Sequence, residues 1–372
     1  MSHPQVLITG GAGFIGSHLA DELLAHGYRV RALDSLAPQV HPGGTRPDYL
    51  SPEVELIVGD VRDPDVVRRA LRDVAAVYHF AAMVGVGQSM YQVSGYTGAN
   101  ALGTAVLLEA LIERPVERLV VASSMSIYGE GLYRAPDGSV STPRERTLDE
   151  LRAGEWELRN DAGERLEPAP TPETKAPSLR SVYALTKYDQ ERLCLMIGEA
   201  YRIPTVALRF FNVFGTRQSL SNPYTGVLAI FASRYLNGNP PLIYEDGLQR
   251  RDFVSVYDIA QACRLALTSD AAEGGVFNVG SGRSLTVREV ASQMAHVLGL
   301  EDVQPEITSR YRVGDIRHCF ADITRARERL GYEPNISLED GLVELAGWLA
   351  GQQADDRVGE ARQELEARGL TV

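Results

Sequence analysis

Short apolar runs alternate with helical patterns over the first third of the chain. The apolar runs predict buried strands and occur at 6–10, 28–34, 54–60, 74–82 and 118–124. Helical patterns lie between them, at 14–26, about 65–71 and 100–112. Buried strands that alternate with helices are typical of a parallel sheet covered on both faces. The pattern therefore predicts an α/β fold built on a doubly wound parallel sheet.

The segment 130–180 interrupts this pattern. It contains six prolines, 11 acidic and eight basic residues and few large apolar side chains. We expect an insertion that leaves the sheet and is partly helical around 148–158. Its composition fits a solvated surface excursion and a cap over a ligand equally well.

The second half of the chain predicts a smaller domain assembled on the sheet. A helix is expected at 183–201 and a strand at 206–210, and further helices at 225–236, 256–267, 285–298 and about 338–350. The predicted organisation is a sheet domain over 1–200, a smaller α/β domain over 201–350 that returns segments to the sheet, and a charged C-terminal helix over 351–372. We expect that last helix to be a solvated face rather than part of a site.

Charge and composition narrow the possible partners. The chain has 49 acidic and 37 basic residues and a net charge of −12. No basic footprint offsets phosphate charge, so we exclude nucleic acid as a partner. The three cysteines are far apart and predict neither a metal site nor a disulfide framework. The start of the chain lacks a signal-peptide pattern and no stretch is apolar enough to span a bilayer, so we expect a cytoplasmic protein with no membrane partner.

A glycine-rich segment, 9–16 (TGGAGFIG), joins the first predicted strand to the first helix. Glycines there permit a tight turn and a close approach of the backbone to a pyrophosphate on the helix N-terminus. Asp34 ends the second strand, where a carboxylate can bind ribose hydroxyls. The acid favours NAD over NADP, because it repels a 2′-phosphate. The predicted cofactor contacts of this segment are Gly10, Gly13, Phe14, Ile15 and Gly16.

Two further strand ends lie on the same edge of the predicted sheet. Asp60 and Val61 follow the third strand and are expected to contact the adenine. Small residues follow the fourth strand and let the backbone run close to the cofactor, at Phe80, Ala81 and Ala82. We expect His79 to be a core histidine rather than a catalytic one.

The pair Tyr183 and Lys187 lies one helical turn apart on the same face of a predicted helix. A cation beside a phenol favours the phenolate, so we expect Lys187 to lower the pKa of Tyr183 from about 10 and make it a usable base. Lysine is rare in this chain, since every basic residue other than Lys175 and Lys187 is an arginine. The compact ammonium can reach both the tyrosine and a nicotinamide ribose, which a guanidinium would do poorly. Lys175 is expected to be a solvated charge.

These features together resemble the extended short-chain dehydrogenase/reductase superfamily. The resemblance rests on the glycine segment, Asp34, 100–104 (NALGT), 123–129 (SSMSIYG) and the pair Tyr183 and Lys187. The segments 208–215 (LRFFNVFG), 251–254 (RDFV) and 312–315 (RVGD) are similar to its nucleotide-sugar epimerase/dehydratase branch. The resemblance implies a Rossmann domain that binds NAD, a smaller substrate domain, and a homodimer formed through helices near 100–113 and 184–200.

The resemblance also implies roles for single residues. Ser124 would hydrogen-bond the sugar hydroxyl, Tyr183 would take its proton and Lys187 would hold the phenolate. Asn100 and Phe211 match cofactor-binding positions. The implied substrate-binding residues are Val84, Ser126, Asn212, Val227, Arg251, Arg312 and Asp315. The arginines suit a desolvated diphosphate, which needs planar, charge-assisted donors.

Two departures from the branch favour one reaction. Its dehydratases carry Asp-Glu directly after the hydroxyl residue and its decarboxylases a Glu at the second position, whereas this chain has Met125 and Ser126. This argues for epimerisation: oxidation at C4 by tightly bound NAD, a 4-keto intermediate and return of hydride to the opposite face. The long stretch of chain between Ser124 and Tyr183, with 221–227 and 244–247, resembles dTDP-L-rhamnose 4-epimerases, although any dTDP- or UDP-hexose fits the motifs.

Two other functions stay open at this point. A 4-ketosugar reductase or dehydrogenase would release its cofactor in each turnover. A non-catalytic nucleotide-binding scaffold could also use this fold, although it would not need the set formed by Ser124, Tyr183 and Lys187.

Overall fold

Seven parallel strands form the central sheet. The computed structural model describes residues 4–224, 226–312, 315–353 and 355–371. The strands, β1 to β7 in chain order, are Gln5–Thr9, Arg29–Asp34, Glu55–Val58, Ala76–His79, Arg118–Ser124, Thr205–Phe210 and Val276–Val279. They lie in the order β7-β6-β5-β4-β1-β2-β3. The direction of the winding reverses between β1 and β4, which opens a crevice at the carboxyl ends of the strands.

The helices connect and cover these strands. In the described residues α1 to α13 are Phe14–Ala25, Pro64–Ala70, Val86–Ser89, Val93–Tyr96, Gly103–Glu113, Leu148–Arg152, Val182–Tyr201, Val227–Leu236, Val256–Thr268, Val287–Leu298, Thr324–Leu330, Leu338–Leu349 and Val358–Ala367. A π-helical segment, Thr97–Leu102, leads into α5, and 3₁₀ turns occupy Met125–Tyr128 and Asp270–Ala272. As far as the described residues extend, none of these helices could cross a bilayer.

Apolar side chains cover both faces of the sheet, as the continuous apolar strands predict. On one face α1, α9 and α11 pack on the sheet through residues such as Leu19, Ile259 and Ala326. On the other face α2, α5 and α7 pack through residues such as Leu107 and Cys194. The sheet is therefore a buried middle layer between two helical layers, and the predicted doubly wound α/β architecture is confirmed.

A third apolar core lies beyond the carboxyl ends of the strands. It is formed by α8, α10 and α12, with Phe231, Met294 and Leu345 among its buried side chains. Short strand pairs surround it, at Asn212–Phe214 with Phe253–Ser255, Leu242–Ile243 with Glu306–Ile307, and Arg250–Arg251 with Leu285–Thr286 and His318–Cys319. This second body faces the crevice of the sheet, although β7, α9 and α11 return to the sheet itself. The domain limits at 200 and 350 stay predictions.

The 130–180 insertion packs onto this second body. It forms a small antiparallel sheet of Leu132–Arg134, Val140–Ser141 and Glu167–Ala169. Arg317 anchors it: the fully buried guanidinium bonds Glu157 of the insertion at 2.6 Å and Asp246 at 2.7 Å. A second arginine, Arg146 of the insertion, bonds Glu245 at 2.9 Å. The insertion is thus tied by buried charge to the second body.

The C-terminal segment differs from the expectation of a solvated charged helix. Helix α13 begins only at Val358, and it buries Ala361 and Leu365 at 8% and 5% exposure. The reason is its periodicity, since small and apolar side chains recur on one face while charged ones occupy the other.

Arg317 supplies the first testable prediction. Arg317→Ala removes the buried guanidinium that pairs with the acidic cluster of Glu157, Glu245 and Asp246. We therefore expect the free energy of unfolding to fall by about 3 kcal/mol or more. Arg327→Ala is the matched control, because its ion pair with Glu333 is exposed and is worth about 0–1 kcal/mol. Urea unfolding of both variants measures the difference. Equal, small losses would show that the cluster does not hold the insertion in place.

Candidate active site

A cavity of about 920 Å³ lies between the sheet and the second body. Its floor is the carboxyl edge of the sheet, where β1, β2, β4, β5 and β6 end. The opposite wall comes from the segments around the third apolar core. Both its size and its position at the point where the winding reverses are typical of a ligand site in an α/β protein.

The glycine segment forms one end of the cavity. Gly10 has a φ of +72°, and a methyl group added there would lie 2.9 Å from the backbone nitrogen of Ala81. One added at Gly16 would lie 2.3 Å from the Gly10 carbonyl oxygen. Gly13 differs, because the nearest atom to an added methyl lies 3.4 Å away. Two of these glycines therefore permit the turn itself, whereas Gly13 leaves room on the cavity side.

Asp34 lies at the end of β2 beside this turn. Its carboxylate accepts hydrogen bonds from the backbone of Ala12 at 3.0 Å and of Leu36 at 2.9 Å. Helix α1 begins after Gly13, and among the described residues no side chain caps its first turn. Its free backbone N–H groups and partial positive charge suit an anion. The carboxylate and the helix end lie where the ribose and the pyrophosphate of a dinucleotide are expected.

The remaining predicted cofactor contacts also line the cavity. Asp60 lies beside Arg62, and the two side chains are 2.6 Å apart at Oδ2 and Nη2. Thr9 Oγ1 accepts hydrogen bonds from the backbones of Phe80 and Ala81, each at 3.2 Å. The predicted residues that line the cavity are Gly10, Gly13, Phe14, Ile15, Gly16, Asp34, Asp60, Val61, Phe80, Ala81, Ala82 and Phe211.

Asn100 is the exception among the predicted cofactor contacts. It lies in the π-helical segment, behind the cavity wall, and is fully buried. Its side chain accepts from the backbone of Met83 at 2.7 Å and donates to Thr186 Oγ1 at 2.9 Å. These hydrogen bonds join the loop after β4 to α7. A direct contact between Asn100 and the cofactor stays a prediction.

Ser124 and Tyr183 meet in the cavity from two different elements. Ser124 ends β5, and Ser126 of the following turn donates its hydroxyl hydrogen bond to Ser124 Oγ at 2.9 Å. Tyr183 lies in the first turn of α7, which Ser181 caps by accepting from the backbone of Ala184 at 3.1 Å. The backbone of Tyr183 also donates to Ser89 Oγ at 3.0 Å. Both catalytic candidates are therefore fixed by contacts behind the cavity wall.

Lys187 follows Tyr183 by one turn of α7 and is buried at 3% exposure. Its ammonium donates to Gln190 Oε1 at 2.7 Å, and Gln190 donates in turn to Thr104 Oγ1 at 2.9 Å. Burial lowers the pKa of Lys187 to about 8. Gln190 was missed from the sequence, and its only signal is a polar residue on the buried face of the same helix.

The expected effect of Lys187 on the pKa of Tyr183 is not found in the structure. Burial raises the pKa of Tyr183, and a hydrogen bond from Ser124 opposes that shift without reversing it. The prediction of a lowered pKa is wrong here, because burial outweighs the hydrogen bond from Ser124, and the Lys187 ammonium is directed to Gln190 instead. Another positive charge is needed before the phenolate is favoured.

His79 is a core histidine, as expected. Its two ring nitrogens lie 2.8 Å from Thr9 Oγ1 and 2.8 Å from Thr104 Oγ1. Burial lowers the pKa of His79 to about 3, so it stays neutral at working pH.

Lys175 is not the solvated charge that the sequence suggested. Its ammonium donates to the backbone oxygen of Tyr128 at 2.8 Å, and burial lowers its pKa. Tyr128 ends the 3₁₀ turn that contains Ser126. Lys175 therefore joins the insertion to the turn beside the catalytic candidates.

The predicted substrate residues also line the cavity. Arg251 donates to the backbone oxygens of Arg317 at 2.9 Å and Ile316 at 2.6 Å. Arg312 bonds Asp315 at 2.8 Å. The residues of this predicted set that line the cavity are Val84, Ser126, Asn212, Val227, Arg251, Arg312 and Asp315. Residues 313–314 of the same motif lie outside the described residues.

Comparison with known proteins agrees with this geometry. The family described as "NAD dependent epimerase/dehydratase family" matches residues 6–150 and 161–280. A dTDP-L-rhamnose 4-epimerase of Burkholderia thailandensis is 34% identical over 355 residues, 93% of this chain and 95% of that protein.

Two solved structures have the same fold over nearly their whole length. A UDP-glucose 4-epimerase of Thermotoga maritima, determined with UDP-glucose, is 30% identical with a TM-score of 0.76 and covers 93% of this chain and 98% of its own. A UDP-glucose 4-epimerase of Thermus thermophilus, in complex with NAD, is 33% identical with a TM-score of 0.73 and covers 94% and 100%. The predictions of a Rossmann-type fold, of NAD as cofactor and of an NAD-dependent nucleotide-sugar epimerase are confirmed. The chain belongs to the NAD-dependent epimerase/dehydratase family.

Proposed function

We propose that the protein inverts C4 of a nucleotide-linked hexose, with NAD held throughout the catalytic cycle. One observation carries this proposal: Ser124, Tyr183 and Lys187 meet at one cavity, while the two positions after Ser124 hold no carboxylate. Met125 is buried at 8% exposure, and the Ser126 hydroxyl donates to Ser124. Neither residue can supply the carboxylate acid or base of an elimination or decarboxylation. The chemistry left to these residues is proton transfer at a single hydroxyl group of the sugar.

The glycine end of the cavity fits the dinucleotide. The absence of a side chain at Gly13, which lines the cavity, and the uncapped start of α1 suit a pyrophosphate, and Asp34 suits the adenosine ribose. Phe80 and Ala81 bring backbone close to the cofactor on the way to the catalytic residues. When bound there, NAD⁺ supplies a reversible hydride acceptor for C4, so no net redox change follows.

The side chains around the catalytic pair transfer the proton and orient the sugar. Tyr183 takes the proton of the C4 hydroxyl, and Ser124 holds the same oxygen by a hydrogen bond. The Ser126 hydroxyl fixes the rotation of the Ser124 hydroxyl by donating to it. Lys187, held by Gln190, keeps a positive charge one turn from the phenol. Because burial raises the pKa of Tyr183, the base requires the cationic nicotinamide as well as the lysine.

The substrate we favour is dTDP-L-rhamnose. The relative from Burkholderia thailandensis, named for that substrate, is 34% identical over nearly the whole chain. The insertion supports the choice, because it lies between the two catalytic segments and its end, at Arg180, lines the cavity. UDP-hexoses are the alternative, since solved relatives carry UDP-glucose or UDP-glucuronic acid.

We also propose a homodimer through the helices near 100–113 and 184–200. Apolar side chains stand out from this part of the surface: Leu102, Leu185 and Met196 are 53–54% exposed. Exposed apolar side chains on neighbouring helices are typical of a surface covered by a second chain.

The cofactor site is tested by two glycine substitutions. Gly13→Ala adds a methyl group at a position that lines the cavity, 3.4 Å from the Gly10 carbonyl oxygen and without a clash, so we expect weaker NAD binding with little change in Tm. Gly16→Ala drives its methyl into the Gly10 carbonyl, so we expect a loss of stability. Cofactor content after purification and thermal unfolding separate the two effects. Full NAD content in Gly13→Ala would contradict the placement of the pyrophosphate.

The charge requirement of Tyr183 is tested by titration. The folded-state pKa of the phenol is raised, so Tyr183 of the ligand-free protein should ionise above about pH 10, the ordinary phenol value. Binding of NAD⁺ should lower that pKa, because a nearby cation favours the phenolate. The ultraviolet difference between wild type and Tyr183→Phe, followed against pH with and without NAD⁺, measures it. An unchanged titration on adding NAD⁺ would refute the requirement.

The reaction is tested by incubating the purified protein with dTDP- and UDP-hexoses and separating the 4-epimers. We expect product without added NAD and no accumulation of NADH, with dTDP-L-rhamnose as the best substrate. Tyr183→Phe should lower turnover roughly 100- to 10,000-fold, the usual worth of a general base, while retaining NAD.

Tyr188→Phe is the matched control on the same helix. Tyr188 packs against an apolar core of the sheet domain and is not among the residues that line the cavity, so the turnover of this variant should stay close to wild type. Stoichiometric NADH change would favour the reductase, and binding of a nucleotide sugar without any turnover would favour the scaffold. A wild-type turnover rate in Tyr183→Phe would contradict the proposed mechanism.

A further inference from the structure

The C-terminal segment crosses the mouth of the cavity. Four positions of α13 that share one helical face line the cavity: Val358, Ala361, Arg362 and Leu365. Their spacing of three and four positions keeps them on one side of the helix. Leu370, beyond the helix, lines it too.

This segment is attached to the second body of the protein. Asp356, just before α13, accepts from Arg234 at 2.9 Å and from Asn239 at 2.8 Å. Arg310 forms an ion pair with Glu366 of the helix. After the helix, Thr371 pairs with the backbone of Arg312, itself a predicted substrate residue.

The same segment also touches the sheet domain. A methyl group added at Gly87, in the first of the two short helices after β4, would lie 3.4 Å from Leu365 Cδ2. The Arg368 guanidinium lies over the Tyr91 ring, 4.5 Å from its centroid. The segment therefore spans from one side of the cleft to the other.

Arg362 brings a third guanidinium to this end of the cavity. Its Nε donates to Glu366 at 2.9 Å, and its charge also interacts with Tyr244, whose ring centroid lies 4.5 Å from the Arg312 guanidinium. Of the two acids that line this end, Asp315 is paired with Arg312 and Glu245 with the buried Arg317. Glu366 is shared by Arg310 and Arg362, so the two guanidinium groups exceed their acid by one positive charge, and that charge is added to a region that suits a dianion.

We propose that residues 355–371 form a strap that closes the nucleotide end of the cleft, and that Arg362 is a binding residue for the nucleoside diphosphate part of the substrate. The inference rests on the proposed function for the identity of the ligand. The strap would thus contribute to substrate specificity and retain the bound substrate, although it lies outside the family motifs. Entry and release of the nucleotide sugar then require the strap to move.

Titration calorimetry with UDP and with dTDP tests Arg362 without relying on turnover. Arg362→Gln should weaken binding of the better-bound diphosphate roughly tenfold, the loss of one charge-assisted hydrogen bond, with NAD content unchanged. Arg357→Gln is the matched control, since its side chain is 54% exposed beside Asp355. Equal binding by the two variants would overturn the inference. Failure of the wild type to bind either diphosphate would instead overturn the proposed function.

Trypsin tests the strap, because cleavage can follow Arg357, Arg362 and Arg368. The diphosphate that binds better should slow release of the C-terminal peptides, identified by mass spectrometry, relative to NAD alone. The same rate with and without that diphosphate would show that the segment does not close over it. This readout needs no substitution, so it holds even if a variant is unstable.

Discussion

One buried ion pair holds the catalytic residues in register. Glu191 of α7 accepts from Arg209 of β6 at 2.9 and 2.7 Å and from Ser123 of β5 at 2.6 Å. Ser123 adjoins Ser124, and Glu191 lies two turns along α7 from Tyr183. The pair is buried at 1% and 6% side-chain exposure, so either partner alone would be an uncompensated charge in the core. Two segments that the whole 130–180 insertion separates in the chain are thereby fixed beside one another.

Lysine has a distinct use from arginine in this protein. Both lysines donate to uncharged oxygens, Lys187 to Gln190 and Lys175 to the backbone of Tyr128. Buried arginines instead occupy sites with two or more acceptor atoms, as Arg209 does with Glu191 and Arg317 with Asp246 and Glu157. A planar fork needs several aligned acceptors, whereas an ammonium has no such requirement. The near absence of lysine thus marks the two places where a compact cation is needed.

The sequence was informative wherever the structure depends on local pattern. The strands, the glycine turn and the one-turn spacing of Tyr183 and Lys187 follow from periodicity and backbone sterics. Long-range burial could not be deduced in the same way. Whether Lys175 and the C-terminal helix are solvated depends on partners that are distant in the chain, such as Tyr128 and Arg234. The same holds for the pKa of Tyr183, because burial there outweighs the neighbouring hydrogen bond.

The charge distribution in the cavity fits the demands of inversion at one carbon. The guanidinium groups of Arg251, Arg312 and Arg362 lie at the end formed by the second body, whereas Val84 and Ser126 line the wall near the catalytic pair. Charge-assisted donors hold a diphosphate firmly, and uncharged walls hold a sugar ring weakly. A reaction that presents both faces of one ketone to the same hydride site requires a firmly held diphosphate and a weakly held sugar, because a firmly bound ring could not rotate to present its other face. In the proposed mechanism, selection among substrates therefore depends mainly on the nucleotide end, where the strap and the arginines lie.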